Sequence, residues 1–282
     1  MTAHRDRRDR CPGLLRPWPA DDGLLVRLRL VGGRVPAVAL RSVAEVAERF
    51  GDGHVHLTTR ANLQIRGLPV DHGAVRADAL GAIESTGLVP TRTHELVRNV
   101  MVSPQTGLAG GRADLRPVAA ELDRLLCASP RLGDLPGRFL FVLDDGRGDV
   151  LDRSGDLGLC VLDADLVQLR VGTGWGPRLP LRDAATRLAD LAGRFLDARG
   201  TGPAAAWHVA ELVEPLLAPV DRDPRVPEPT GPLRYGEVGG GVHVEAPGGR
   251  LDRAAVERYT AGVDTVVVTP WRGLLIPEER TP

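Results

Sequence analysis

The 282-residue sequence predicts an α+β fold in which two copies of a small module flank a longer α/β segment. Near the N-terminus, apolar residues recur first with period two and then with helical spacing, in a β-α-β-β-α order. A similar pattern returns near the C-terminus, after a proline-rich polar stretch at 219–232. Two similar copies in one chain indicate a pseudo-two-fold pair, with a site expected between the copies.

The composition argues against several classes of protein. The chain carries 36 basic and 37 acidic residues, whereas nucleic-acid-binding proteins usually have a basic excess. All 36 basic residues are arginine, which excludes chemistry that needs a lysine, such as a Schiff base or a P-loop. The apolar runs are too short to cross a membrane, and the charged N-terminus has no apolar signal core. We therefore expect a cytoplasmic location, with neither nucleic acid nor membrane as partner.

The first module is predicted at 22–90, after an extended segment at 1–21 in which three prolines oppose a regular helix. Its first strand alternates apolar residues with arginine, and its first helix places apolar residues on one side. The predicted elements are a strand at 24–30, a helix at 37–50, strands at 54–58 and 63–66, and a helix at 72–85.

An inserted domain is predicted at 91–218. Continuous apolar runs indicate buried strands, and a long amphipathic stripe indicates a helix that packs on a core. The expected strands lie at 97–102, 138–143, 157–162 and 166–171, and the expected helices at 115–127 and 181–199. A proline-rich linker at 219–235 follows.

The second module, predicted at 236–282, repeats the first. Both copies run through a strand, a Gly-Gly-Arg turn, a helix, a strand that ends in threonine, an arginine-bearing turn and a final strand. Gly32-Gly33-Arg34 corresponds to Gly248-Gly249-Arg250, and Thr58 corresponds to Thr269. The region between these landmarks is five residues shorter in the second copy.

Two polar motifs are candidate binding sites. By period two, Thr58, Arg60, Asn62 and Gln64 fall on one face of two adjoining strands, which is either a solvated face or a ligand-binding face. The pair Arg98-Asn99 interrupts an apolar strand, and a buried polar pair must be satisfied by a network or by a ligand.

Other reactive residues give weaker signals. Ser103 has no histidine and aspartate at a recognisable spacing, so a serine hydrolase is not indicated. Asp144-Asp145 precedes a glycine and fits a turn better than a metal site. The three cysteines, Cys11, Cys127 and Cys160, are too far apart in sequence for a metal-binding motif, and three thiolates cannot hold a four-cysteine cluster.

The segments HLTTRANLQIRGL and HELVRNVMVSP resemble the nitrite and sulfite reductase family. The segments CPGLLRPWPADDGLLVRLRL, TGLAGGRADLRPVAAELDRLL, LPGRFLFVLDDGRGDV and AAWHVAELV resemble its precorrin-3B synthase branch. The resemblance implies two ferredoxin-like half domains that form a pseudo-two-fold pair, with a sulfite-reductase-like catalytic domain inserted between them.

The resemblance also implies which residues bind the tetrapyrrole. Arg138 and Leu140 match two positions at which reductases carry cations, so the leucine argues against sulfite reduction. Arg66, together with Arg27 or Arg29, would help to hold the substrate carboxylates. The implied tetrapyrrole-binding residues are Thr58, Arg60, Asn62, Gln64, Arg98, Asn99, Arg138, Thr269 and Arg272, with Trp271 beside the last.

The implied reaction is dioxygen-dependent hydroxylation and lactone formation on precorrin-3A, supported by an electron donor. The family uses a [4Fe-4S] cluster with iron or sirohaem, and its cluster cysteines follow as Cys-x5-Cys and Cys-x3-Cys. This sequence ends at Pro282 without that pattern, so we expect it to lack the cluster ligands and the intact activity. The alternatives are a sirohaem-type nitrite or sulfite reductase, and a catalytically silent tetrapyrrole-binding half that needs a cysteine-bearing partner subunit.

Overall fold

The computed structural model describes residues 11–278, so the first ten residues of the predicted N-terminal segment lie outside it. The described chain forms two compact units: a split unit from 11–95 and 233–278, and a continuous unit at 96–232. The finer division at 21, 90, 218 and 235 stays a prediction. Within the described residues, no helix is both long and apolar enough to cross a membrane.

The elements follow in chain order. Residues 11–95 contain β1 (Trp18–Ala20), β2 (Gly23–Leu28), β3 (Arg34–Pro36), α1 (Ala37–Phe50), β4 (Val55–Leu57), β5 (Leu63–Leu68), β6 (Val70–Asp71), β7 (Ala74–Val75) and α2 (Ala77–Glu84). Residues 96–232 contain β8 (Val100–Val102), α3 (Arg116–Ala128), β9 (Phe141–Asp144), β10 (Leu157–Val161), β11 (Leu166–Val171), β12 (Gly174–Pro180) and α4 (Ala184–Ala198). Residues 233–278 contain β13 (Gly236–Val238), β14 (Gly241–Glu245), β15 (Arg250–Leu251), α5 (Arg253–Tyr259), β16 (Thr265–Val268) and β17 (Gly273–Pro277).

The split unit contains two sheets with equivalent strand orders. The first sheet is ordered β1-β2-β5-β4-β15, and the second β13-β14-β17-β16-β3. Each copy of the module therefore contributes four strands to its own sheet and one edge strand to the other. This reciprocal exchange confirms the predicted α+β pair of half domains.

The exchanged strands pair at equivalent registers. Arg250 of β15 lies opposite His56 of β4, and Arg34 of β3 lies opposite Val267 of β16. A Gly-Gly turn precedes each exchanged strand, and the second glycine of the first turn, Gly33, has a φ of 70°. A Cβ at Gly33 would lie 2.1 Å from the Val268 carbonyl oxygen, so only glycine fits this crossing.

One hydrophobic core joins the two copies. Leu40, Val43 and Ala47 form the buried side of α1, whose bounds agree with the predicted helix. They belong to the same buried cluster as Val26 and Ile65 of the first sheet and as apolar residues of the second copy, namely Val256, Val266, Val268 and Leu274. The core therefore depends on both halves of the split unit.

Several predicted elements are shorter than expected. The helix expected at 72–85 begins at Ala77, because His72 and Gly73 have positive φ angles and close the β6–β7 hairpin. The strand expected at 97–102 covers only β8, and that expected at 138–143 begins at Phe141. In both cases a turn takes up the first predicted residues, which apolar content alone does not reveal.

The continuous unit is built on the sheet β12-β11-β10-β9-β8. Strands β8, β9 and β10 are parallel, and their near-continuous burial is typical of strands covered on both faces. Helix α3 packs against α4. The rings of Phe139 and Phe195 lie 4.8 Å apart in the core of this unit.

Candidate functional site

A cavity of about 510 Å³ lies on the polar face of the first sheet. Both copies contribute to its walls, because β15 of the second copy completes this sheet. Four of the lining side chains are arginines, and they are accompanied by two carboxylates, one imidazole and an amide. The lining residues used below are Arg27, Arg66, Arg250, Arg272, Asp22, Asp52, His56, Thr58 and Gln64.

A row of side chains crosses the sheet beneath the cavity. Gln64 of β5 lies opposite Arg27 of β2 on one side and His56 of β4 on the other, and His56 in turn lies opposite Arg250. Opposed residues in neighbouring strands share a face, so the row is directed to the side away from the core. The alternate residues, such as Ile65, are buried in the core.

The charges of the cavity favour an anion. Arg66 Nε donates to Asp22 Oδ2 over 3.2 Å, and this hydrogen bond lowers the pKa of the Asp22 carboxyl. Asp52 Oδ2 lies 2.7 Å from His56 Nε2. Both carboxylates of the lining are thus engaged, and the four guanidinium groups outnumber them. Guanidinium groups bind carboxylates through paired, charge-assisted hydrogen bonds, so the cavity suits a polycarboxylate.

The Thr58–Asn62 turn overturns the expectation of a single polar face from Thr58 to Gln64. Thr58 N donates to the Asn62 carbonyl at 3.0 Å, and Asn62 N donates to Thr58 Oγ1 at 3.1 Å. The turn, with Ala61 at a φ of 55°, breaks the period of two. Asn62 is buried, and its Oδ1 accepts from Leu30 N at 2.8 Å, while Arg60 at the turn is not among the lining residues.

The second copy repeats this turn with different side chains. Thr269 N donates to the Gly273 carbonyl at 2.9 Å, and Gly273 N donates to Thr269 Oγ1 at 3.2 Å. Arg272, with a φ of 60°, therefore stands at the position of Ala61 and not at that of Arg60. Arg272 lines the cavity, whereas Thr269 is buried. Thr269 Oγ1 lies 3.0 Å from His243 Nε2.

The remaining predicted site residues lie in the continuous unit, where contacts within that unit occupy them. Arg98 Nη2 donates to Asp123 Oδ2 at 2.8 Å, and Asn99 Nδ2 donates to the Gly137 carbonyl at 2.9 Å. The guanidinium of Arg138 is exposed and lies 5.4 Å from the centre of the Trp207 ring. Arg98 and Asn99 thus stabilise this unit. Ligand binding by Arg98, Asn99 and Arg138 stays a prediction.

The residue prediction missed Arg250, Asp22, Asp52 and His56, although all four line the cavity. The Gly-Gly-Arg repeat contained the signal for Arg250, since the arginine begins the exchanged strand. His56 stands two residues before Thr58, so the period of two in β4 places it on the same face. Asp22 and Asp52 come from loops, and their positions depend on tertiary structure.

The described residues do not fit an iron–sulfur cluster. Cys127 lies on α3 and Cys160 on β10, and burial raises the pKa of the Cys160 thiol to about 12. Cys11 is also buried. Across residues 11–278, no group of three or more His, Cys, Asp and Glu side chains could hold a metal ion. The arginine cavity, in contrast, offers guanidinium groups that suit carboxylates.

Comparison with known proteins agrees with the fold of the split unit. The model of the nitrite/sulfite reductase ferredoxin-like half domain matches residues 19–81. Residues 19–81 are such a half domain. The rest of the split unit repeats the half domain's strand order through β13–β17. The predicted resemblance to nitrite and sulfite reductases is thus confirmed for this part of the chain.

Similar curated proteins include a precorrin-3B synthase from Sinorhizobium, 32% identical over 177 residues, which are 60% of this chain and 35% of the relative. A ferredoxin–nitrite reductase from Leptolyngbya laminosa is 30% identical over 142 residues, which are 48% of this chain and 27% of the relative. The matches thus span about a third or less of each relative. The structure of Mycobacterium tuberculosis NirA covers 93% of this chain and 57% of its own, with a TM-score of 0.70 and 22% identity, and therefore shows a shared fold.

Proposed function

We propose that this chain belongs to a precorrin-3B synthase-like oxidoreductase and that its arginine cavity binds the peripheral carboxylates of a polycarboxylate tetrapyrrole, precorrin-3A. The observation that supports this most strongly is the set of four guanidinium groups around one cavity. Arg27 and Arg66 come from the first copy, and Arg250 and Arg272 from the second. A flat ligand with carboxylates along its rim can contact arginines from both copies at once.

In the proposed reaction, dioxygen hydroxylates precorrin-3A and an acetate side chain closes to a lactone. A cluster with iron or sirohaem would supply electrons and activate dioxygen. Since the described residues do not fit that cluster, we assign them binding and orientation alone. Arg27 and Arg272 would bind carboxylates, while Gln64 Nε2 and the Thr58 hydroxyl would donate hydrogen bonds from the floor. The cluster thiolates would come from a cysteine-bearing partner subunit, and an electron donor would complete the system.

A sirohaem-dependent nitrite reductase is the second candidate, because two cyanobacterial nitrite reductases match this chain at 30% and 31% identity. Leu140 weighs against it. This residue stands where reductases carry a cation, and it is buried, with 3% of its surface exposed. An apolar side chain at that position cannot bind a small oxyanion.

The test measures the affinity for uroporphyrin III, a stable porphyrin with eight carboxylates, from the change in its fluorescence on binding. Charged hydrogen bonds contribute about 1.5–3 kcal/mol each, so the Arg27→Gln/Arg272→Gln double variant should lose at least about a hundredfold in affinity. Arg124→Gln is the matched control, because Arg124 is exposed and paired with Glu121 in the other unit. Equal affinity of wild type and double variant would contradict the proposal.

A further inference from the structure

One carboxylate of the cavity wall already occupies one of the cavity arginines. Asp22 and Arg66 both line the cavity, and their side chains form an ion pair. We propose that this pair is exchangeable: a carboxylate of the ligand displaces Asp22 from Arg66 on binding, and Asp22 returns to Arg66 when the ligand leaves. The inference rests on the proposed function, since it needs a carboxylate ligand in the cavity. It makes Asp22 a residue that sets the affinity and the rate of release.

The ion pair has the geometry that a ligand carboxylate would adopt. Arg66 Nε donates to Asp22 Oδ2 at 3.2 Å, and Arg66 Nη2 donates to Asp22 Oδ1 at 3.5 Å. Two nitrogens of one guanidinium thus bind the two oxygens of one carboxylate, which is the paired arrangement of arginine–carboxylate recognition. A ligand carboxylate that binds this edge of the guanidinium must therefore replace Asp22.

The pair can open, because both side chains are partly exposed to solvent. The Asp22 side chain is 41% exposed and the Arg66 side chain 37%. Ion pairs with this exposure contribute little to stability, since water solvates both charges when they separate. The hydrogen bond from Arg66 lowers the pKa of the Asp22 carboxyl, so Asp22 is ionised at neutral pH and competes with the ligand as an anion.

The fold fixes the arginine and leaves the carboxylate free to turn away. Arg66 lies within β5, two residues after Gln64, so the period of two places both side chains on the cavity face. The Arg66 carbonyl also accepts from Asp52 N at 3.0 Å. Asp22 lies in the tight turn between β1 and β2. Exchange therefore needs only a change of rotamer at Asp22, with no movement of the sheet.

Exchange predicts that Asp22 and Arg66 have coupled effects on binding. With Asp22 in place, a ligand that reaches Arg66 gains one charge-assisted contact while the protein loses another. Without the Asp22 carboxylate, the ligand gains the same contact and nothing is lost. Substitution of Asp22 should therefore strengthen binding and make the affinity depend more strongly on Arg66. It should also slow dissociation, because no internal carboxylate then competes for Arg66 as the ligand leaves.

The experiment measures uroporphyrin III affinity and, by stopped-flow fluorescence, its dissociation rate for wild type, Asp22→Asn, Arg66→Gln and the double variant. Asp22→Asn should raise the affinity about fivefold, mainly through slower dissociation. Arg66→Gln should lower the affinity about tenfold in the Asp22→Asn background but only about twofold in wild type. Once Arg66 is replaced, Asp22→Asn should have little effect on the affinity.

Asp78→Asn is the matched control. Asp78 forms a similarly exposed ion pair with Arg76, and neither residue is among the lining residues of the cavity. The substitution removes the same charge from the split unit as Asp22→Asn does. It should leave both the affinity and the dissociation rate unchanged.

The outcomes separate this inference from the proposed function. Equal affinity of wild type and Asp22→Asn, with Arg27→Gln/Arg272→Gln still impaired, would overturn the exchange and leave the arginine cavity as proposed. A gain confined to the association rate, or one that persists without Arg66, would do the same, since an anion that acts only at a distance changes the association rate. Absence of uroporphyrin binding by every variant would overturn both.

Discussion

The two copies of the module share a backbone but differ in the face that each sheet turns away from the core. In the first sheet this face carries Arg27, Gln64 and His56, which line a cavity. The equivalent positions of the second sheet are His243, Leu275 and Val267, and all three are buried. The duplicated scaffold thus retains its turns and its exchanged strands, while these three positions line a cavity in the first sheet and are buried in the second.

The glycine that precedes each exchanged strand should show the largest difference in stability between the two copies. Gly33→Ala places a Cβ 2.1 Å from a backbone carbonyl at a φ of 70°, and neither atom can move without disrupting the β3–β16 pairing. We expect a loss of at least about 3 kcal/mol in the free energy of unfolding. Urea denaturation measures this directly.

The equivalent substitution in the second copy is the control. At Gly249, a Cβ would meet the flexible side chain of Arg272 at 2.9 Å, which can shift. Gly249→Ala should therefore cost less, about 1–2 kcal/mol, chiefly from its φ of 72°. Equal losses at the two glycines would show that the crossings are not constrained as the structure indicates.

The contrast between predicted and observed elements has a physical cause. Helix α1 was predicted within its observed bounds because its amphipathic stripe is a local property of the sequence. The repeat was visible for the same reason, since Gly33 and Gly249 mark equivalent turns. The exchange of β3 and β15 between the two sheets was not visible in the sequence, because the register between distant strands depends on the whole fold and not on local pattern.

The site shows the same limit at the level of single residues. The prediction placed Asn62 on the ligand face, but the turn at Ala61 directs it inward to Leu30. Asp52 was missed because it reaches the cavity from the loop that follows α1. Gln64 and Thr58 do line the cavity, since each lies next to or within a regular strand where the period of two holds.

The exchanged arginines sharpen the comparison further, because both copies have an arginine at this position. Arg250 lines the cavity, and Arg34 occupies the equivalent place opposite Val267. Arg250→Gln should weaken uroporphyrin binding by about tenfold, the effect of losing one charge-assisted pair. Arg34→Gln should leave the affinity unchanged. A matching loss at Arg34 would indicate that the second sheet also takes part in binding.

The smallest expected effect concerns His243, which replaces Arg27 in the second sheet. Burial lowers its pKa, and hydrogen bonds to the carbonyls of Leu233 and Arg234 only partly oppose this shift. A histidine with a lowered pKa folds as the neutral ring, so its stabilising contribution is complete above the ordinary histidine range and declines as the pH falls through it. Between pH 7 and 5, the stability of wild type in urea should therefore fall relative to that of His243→Gln. If His243 instead lay open to solvent like a ligand-binding residue, the two curves would be parallel, and the second sheet would be as accessible as the first.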